Sequence, residues 1–155
     1  MANAYFLDSS TLVKRYVTET GSAWVQALTD PQVGNSIIVV RITWVKVLSA
    51  FGRRQREGSL TAAEVVETID KFRSELNSQY RVIEVDQAIF EKAGELVVQY
   101  PLRAYDAMQL AAAMRIRSLV SQMPDTQLVF VSADDRLLNI AQTEGLVTDN
   151  PNNYP

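Results

Sequence analysis

Short β-branched apolar runs alternate along this chain with longer segments of helical period, and no other feature constrains its fold as much. Tyr5-Phe6-Leu7, Ile37-Ile38-Val39-Val40, Arg81 to Val85, Leu128-Val129-Phe130-Val131 and Leu146-Val147-Thr148 read as strands. The spacing predicts helices toward Tyr16, over Thr20 to Leu28, from about Thr43 to Arg56, from Thr61 to about Leu76, from Asp86 to about Tyr100, from Ala104 to Leu119 and from Ser132 to Glu144. Trp44, Val47, Leu48 and Phe51 lie at i, i+3, i+4 and i+7, and Thr61 with Glu64 has the spacing of a capping box. Strands separated by helices need crossover connections, so the expected fold is α/β, a three-layer α/β/α sandwich with a mostly parallel central sheet. A chain of 155 residues suits one domain, expected over 1–149, followed by a loosely ordered tail at 150–155 rich in proline and asparagine.

The chain contains neither cysteine nor histidine. Disulfides, thiolate nucleophiles, zinc sites of the Cys/His type and every mechanism in which imidazole carries the proton are thereby excluded. Chemistry must come from carboxylates, hydroxyls, amines or a bound metal. The formal net charge of -3 argues against non-specific coating of nucleic acid, while leaving room for a local basic rim. No apolar run approaches the ~18 residues of a membrane span, and the first residues lack the pattern of a signal peptide, so a cytoplasmic protein without a membrane partner is expected.

Parallel sheets bind ligands beyond the carboxyl ends of their strands. Asp8 directly follows the first strand and Asp134 follows the strongest one, so both belong at that edge. Asp106 sits in the first turn of an otherwise apolar helix. Carboxylates crowded within ~4–6 Å raise one another's pKa unless a cation neutralises them, and hard oxygen donors suit Mg²⁺ or Mn²⁺. Each acid has a structural reading too. Asp8 suits a helix cap, Asp106 answers the positive end of its helix, and Asp135, three residues after Ser132, suits a capping box, which leaves Asp134 as the better ligand candidate.

Four segments in order, Tyr5-Phe-Leu-Asp8-Ser-Ser10, Arg41-Ile-Thr43-Trp-Val-Lys46-Val-Leu-Ser, Leu102-Arg103-Ala-Tyr-Asp106-Ala-Met-Gln and Phe130-Val-Ser132-Ala-Asp134-Asp, resemble the motifs of PIN-domain ribonucleases, especially VapC-type toxins. The resemblance implies a PIN-like sandwich and a Mg²⁺- or Mn²⁺-dependent endonuclease acting on RNA. It also implies a homodimer held in check by a cognate antitoxin. Asp8, Asp106 and Asp134 match the family's acidic metal-binding positions, and Ser10 and Ser132 its supporting hydroxyls. One position departs: Lys46 stands where the family has a glutamate, which makes the cluster two charge units less negative and predicts weakened metal affinity and little cleavage.

Arg53, Arg54 and Arg56, and the pair Lys14-Arg15, are candidates to meet phosphates, with a solvated helix end as the plainer role for the arginines. Arg103 immediately precedes the Asp106 turn. Two other functions fit the same pattern: a non-catalytic PIN protein that only binds antitoxin, and a phospho-accepting receiver-like switch. The second normally has paired acids after its first strand, where Asp8 is followed here by serines.

Overall fold

The computed structural model describes residues 3–155. Five strands, β1 (Asn3–Leu7), β2 (Ser36–Val40), β3 (Arg81–Ile83), β4 (Gln127–Val131) and β5 (Val147–Asp149), form one sheet in the order β3-β2-β1-β4-β5. Every pairing is parallel, with Phe6 opposite both Ile38 and Phe130. The chain moves outward from β1 to β3 and then returns to the other side of β1. The order of strands therefore reverses between β1 and β4, the place where sheets of this kind open a crevice for ligands.

Helices cover both faces. On one side lie α1 (Ser9–Tyr16), α2 (Ser22–Leu28), α3 (Thr43–Arg56) and α4 (Ala62–Ser78), packed on Leu7, Ile37, Val39, Val129 and Val131. On the other, α5 (Gln87–Gln99), α6 (Ala104–Val120) and α7 (Asp135–Thr143) cover Phe6, Ile38, Val40, Leu128 and Phe130. Alternate residues of each strand enter opposite layers, which is why the strands are apolar throughout instead of alternating with polar residues. Phe6 and Phe130 stack across β1 and β4 with ring centroids 5.7 Å apart. Among the described residues no helix is long and apolar enough to cross a membrane.

Capping chemistry sets most helix starts. Thr61 and Glu64 form the expected reciprocal capping box on α4. Asp86 opens α5 by accepting from the Ile89 N–H and also holds Arg115 at 2.6 Å. The Arg115 guanidinium, with the Ile89 N–H second, depresses its pKa to about 2. Since the folded pKa lies below the ordinary value of 3.8, this contribution is present above about pH 4 and lost as the pH falls toward 2. Asp86→Asn keeps the cap but not the charge. A measurable fall in Tm at neutral pH that vanishes near pH 2 is expected from thermal scans across that window.

Four sequence expectations change. The second helix starts at Ser22, because Gly21 enters the left-handed region (φ 86°), and a Cβ there would lie 2.3 Å from the Pro151 carbonyl oxygen. Asp134, not Ser132 with Asp135, caps α7, accepting from the Arg136 and Leu137 N–H groups. Residues 150–155, expected as a loose tail, make a 3-10 turn at Pro151–Asn153. Asn150 donates to Asp135, and Tyr154 stacks on Trp24 at 4.5 Å. Arg15, expected to face phosphates, turns inward and pairs with buried Glu75 at 2.6 Å.

Candidate active site at the β1–β4 switch point

Asp8 is the centre of a web that ties β1 to β4. It leaves β1 as the cap of α1, its Oδ1 accepting from the Thr11 N–H at 3.0 Å and from the Ser10 hydroxyl at 2.6 Å. Its Oδ2 accepts from the Ser132 hydroxyl at 2.5 Å. The serines are in turn positioned by the strand end that follows β4: Ser10 Oγ accepts from the Ala133 N–H, and Ser132 Oγ accepts from the Asp134 N–H. Asp8 is only 4 % exposed, and burial raises its carboxyl above the ordinary range despite these three donors. Capping uses one oxygen of Asp8 and leaves the other facing the end of β4.

Asp106 and Asp134 line a small concavity of about 100 Å³, together with Arg103, Arg136 and the Pro101-Leu102 turn. Asp106 is raised by partial burial first and by the Asp134 charge second, while Arg103, Lys46 and Arg136 oppose the rise. Asp106 also raises Asp8 through space. The three acids thus form one electrostatic unit. They do not form a ready cage, since among the described residues no three acidic side chains meet at metal-ligand spacing.

Lys46 projects from the first turns of α3 with its Nζ 5.4 Å from the centroid of the Tyr105 ring, a cation–π geometry. Among the described residues it makes no ion pair within 4 Å. Tyr105 is itself anchored. Gln109, wholly buried, donates to the Tyr105 hydroxyl at 2.6 Å and to Thr43 Oγ1 at 2.7 Å, joining α6 to the start of α3. Tyr105, which the sequence suits to a core or dimer interface better than to base stacking, is half-buried, whereas Gln109 carries only the signal of a lone amide inside the alanine-rich run of α6. Phe51 and Trp44, on the periodic apolar stripe of α3, serve packing: Phe51 is buried, and Trp44 stacks on Phe72 at 5.2 Å.

The donor set suits a hard divalent ion in kind. Asp106 and Asp134 offer carboxylate oxygens to a shared concavity, and the rise of Asp106 against Asp134 is the repulsion that a cation would relieve. Three basic side chains stand close enough to do part of the same work.

Comparison with known proteins places this geometry. The family model for the PIN domain matches residues 5–142. Ribonuclease VapC45 and ribonuclease VapC49, from two strains of Mycobacterium tuberculosis, are each 28% identical over 111 residues, covering 72% of this chain and 75% of the relative. Among solved structures, VapBC2 from Rickettsia felis bound to a promoter DNA fragment superposes with a TM-score of 0.64 at 13% identity, covering 95% of this chain and 98% of that one. Mycobacterium tuberculosis VapC20, described as a sarcin-ricin-loop-cleaving toxin, gives 0.62 at 15% identity over 92% and 96% of the two chains. At such identities the structures speak for the fold, while the family match spans the positions of all three acids. The chain belongs to the PIN domain family and is a distant homologue of the VapC ribonuclease toxins.

Proposed function

We propose that the chain is an endoribonuclease-type toxin of a toxin–antitoxin pair whose Mg²⁺ or Mn²⁺ affinity is reduced by Lys46. The observation that carries this reading is the charge environment of Asp106 in its shared concavity with Asp134: burial first and the Asp134 carboxylate second raise it, and Arg103, then the Lys46 ammonium, pull it back. Asp106 and Asp134 would hold the ion, with Asp8 behind them. When bound, such an ion activates water and neutralises charge developing on a phosphodiester. Ser10 and Ser132 keep Asp8 oriented toward the gap between β1 and β4. Arg103 and Arg136, on the rim beside the acids, are placed to donate to phosphate oxygens.

Partners follow from the same relationship: RNA as substrate, an antitoxin as inhibitor, and a second copy of the chain in a cytoplasmic homodimer. Exposed Phe90 and Val98 on α5 support the homodimer, as an apolar surface that a second copy would cover. The cations around the acids also favour a second reading, in which the chain binds antitoxin without cleaving RNA.

Mn²⁺ titration by calorimetry, paired with cleavage of a structured RNA, tests the proposal. Weak Mn²⁺ binding that Asp106→Asn and Asp134→Asn each abolish is expected. Binding unchanged by both substitutions would remove the assignment of these acids. Measurable binding without cleavage would leave the non-catalytic reading.

A further inference from the structure

Lys46 carries a charge that the acids attract, yet it does not sit among them. The concavity shared by Asp106 and Asp134 is walled by Arg103, Arg136, Leu137 and the Pro101-Leu102 turn, and Lys46 has no part in that wall. It lines a separate concavity, beside Ser9, Ser10 and Ala133. Its field still reaches Asp106, so the ammonium is near the acids without touching them; among the described residues no carboxylate lies within 4 Å of it. An exposed lysine has a long flexible stem and three donors, and nothing in the stem itself keeps it from turning to the carboxylates. What the ammonium does meet is the Tyr105 ring, 5.4 Å from Nζ to centroid. An exposed cation–π contact and an exposed ion pair are of similar strength, so a ring in the right place can compete with the acids for Lys46.

A ring restrains a flexible ammonium only if the ring itself is fixed. Tyr105 stands in the first turn of α6, and its hydroxyl is held from three helices: Gln109 of α6 donates to it at 2.6 Å, and Ser9 of α1 and Thr43 of α3 also hydrogen-bond it. Gln109 spends its other N–H on Thr43 Oγ1 at 2.7 Å, while its carbonyl oxygen is buried and, among the described residues, has no partner. A buried acceptor left unpaired is costly, and an aliphatic side chain at this position would avoid that cost. What the amide secures in return is the ring. Thr43 opens α3 and Lys46 follows one turn later, so one network fixes both the ring and the helical turn that carries the ammonium.

We propose that Tyr105 is a positioning residue that holds the Lys46 ammonium against its ring and out of the concavity of Asp106 and Asp134, leaving that concavity open to a divalent ion. The assignment rests on the metal reading of the two acids and changes its terms. Lys46 weakens the ion's hold through its field, and Tyr105 keeps it from taking the ion's place.

The test pairs NMR of the metal-free chain with Mn²⁺ calorimetry. The Lys46 Hε protons are expected upfield of those of exposed Lys71, shifted by the ring current, with nuclear Overhauser contacts to the Tyr105 ring protons. Tyr105→Leu should erase the upfield shift and weaken Mn²⁺ binding about two- to fivefold, the scale of one exposed cation–π contact. Tyr105→Phe, which keeps a ring and loses only the hydroxyl, should retain both the shift and the parent affinity. In the Lys46→Gln background Tyr105→Leu should leave Mn²⁺ binding unchanged, which a merely structural role of the ring would not do. If Tyr105→Leu fails to fold, the Overhauser contacts in the unsubstituted chain decide. A Lys46 signal indifferent to the ring, a phenylalanine variant as weak as the leucine one, an equal loss in the Lys46→Gln background, or Mn²⁺ binding undiminished by Tyr105→Leu would overturn the proposal. Mn²⁺ binding absent from every variant would strike the metal reading and the consequence for the ion together, while the ring shift, read without metal, still decides where Lys46 rests.

Discussion

Lys46→Glu is expected to tighten Mn²⁺ binding by tenfold or more and to raise Mn²⁺-dependent cleavage of structured RNA well above that of the parent chain. The substitution removes a cation whose field reaches Asp106 and adds an acid at the family's glutamate position. At an effective dielectric of about 20, one unit charge ~8 Å from another is worth about 2 kcal/mol before screening. Even after heavy screening at an exposed position, a change of two units acting on a divalent ion leaves tenfold as a conservative figure. Lys46→Gln divides the effect, because it removes the ammonium without supplying a ligand and should give an intermediate affinity. Adding Asp106→Asn to the glutamate variant should abolish both binding and cleavage. Identical Mn²⁺ affinities for lysine, glutamine and glutamate at this position would end the claim that Lys46 governs the site.

The second large effect lies away from the acids. Arg15 donates through Nε and Nη2 to the same oxygen of Glu75, at 2.9 and 2.6 Å, and through Nη1 to Thr29 at 3.0 Å. The other Glu75 oxygen is buried and, among the described residues, has no partner. Beside the pair, the Tyr16 and Tyr80 hydroxyls share a 2.7 Å hydrogen bond, and burial pushes both phenols up, Tyr80 to about 12. This cluster bolts α4 to α1 and to the end of α2. Glu75→Ala strands a half-buried guanidinium and is expected to cost about 3 kcal/mol in urea denaturation, whereas the double change Arg15→Met with Glu75→Leu should be neutral or stabilising by about 1–4 kcal/mol. A double variant as unstable as the single one would mean that the ion pair is worth more than the packing that replaces it.

Much of the layout was readable from residue patterns because its causes are local. The expected bounds of α3 agree with those seen, since its apolar stripe faces the sheet and Gly58 follows its end. The box of Thr61 and Glu64 needs only neighbours three residues apart. What escaped were decisions between competing partners. Ser132 had the spacing to cap α7, but its hydroxyl is spent on Asp8 from another strand, and Asp134 takes the cap instead. Lys14 and Arg15 are adjacent in sequence, yet one opens to a cavity and the other turns to Glu75, sixty positions away. No pattern within α1 reveals that division, because the partner belongs to α4. The tail was similarly opaque, as Tyr154 is ordered by Trp24 near the other end of the chain.

The reversal of strand order at β1 also dictates when the acids can meet. β1 gains its neighbour β2 early in synthesis, but the contact between Asp8 and Ser132 closes a separation of 124 residues. Until β4 has emerged and paired, Asp8 has only its own cap and Ser10 for company, and Asp134 has no place beside it. A nascent chain on the ribosome, surrounded by RNA, therefore carries no assembled acid cluster. The centre can form only once β4 has been synthesised, when nearly the whole polypeptide is already made.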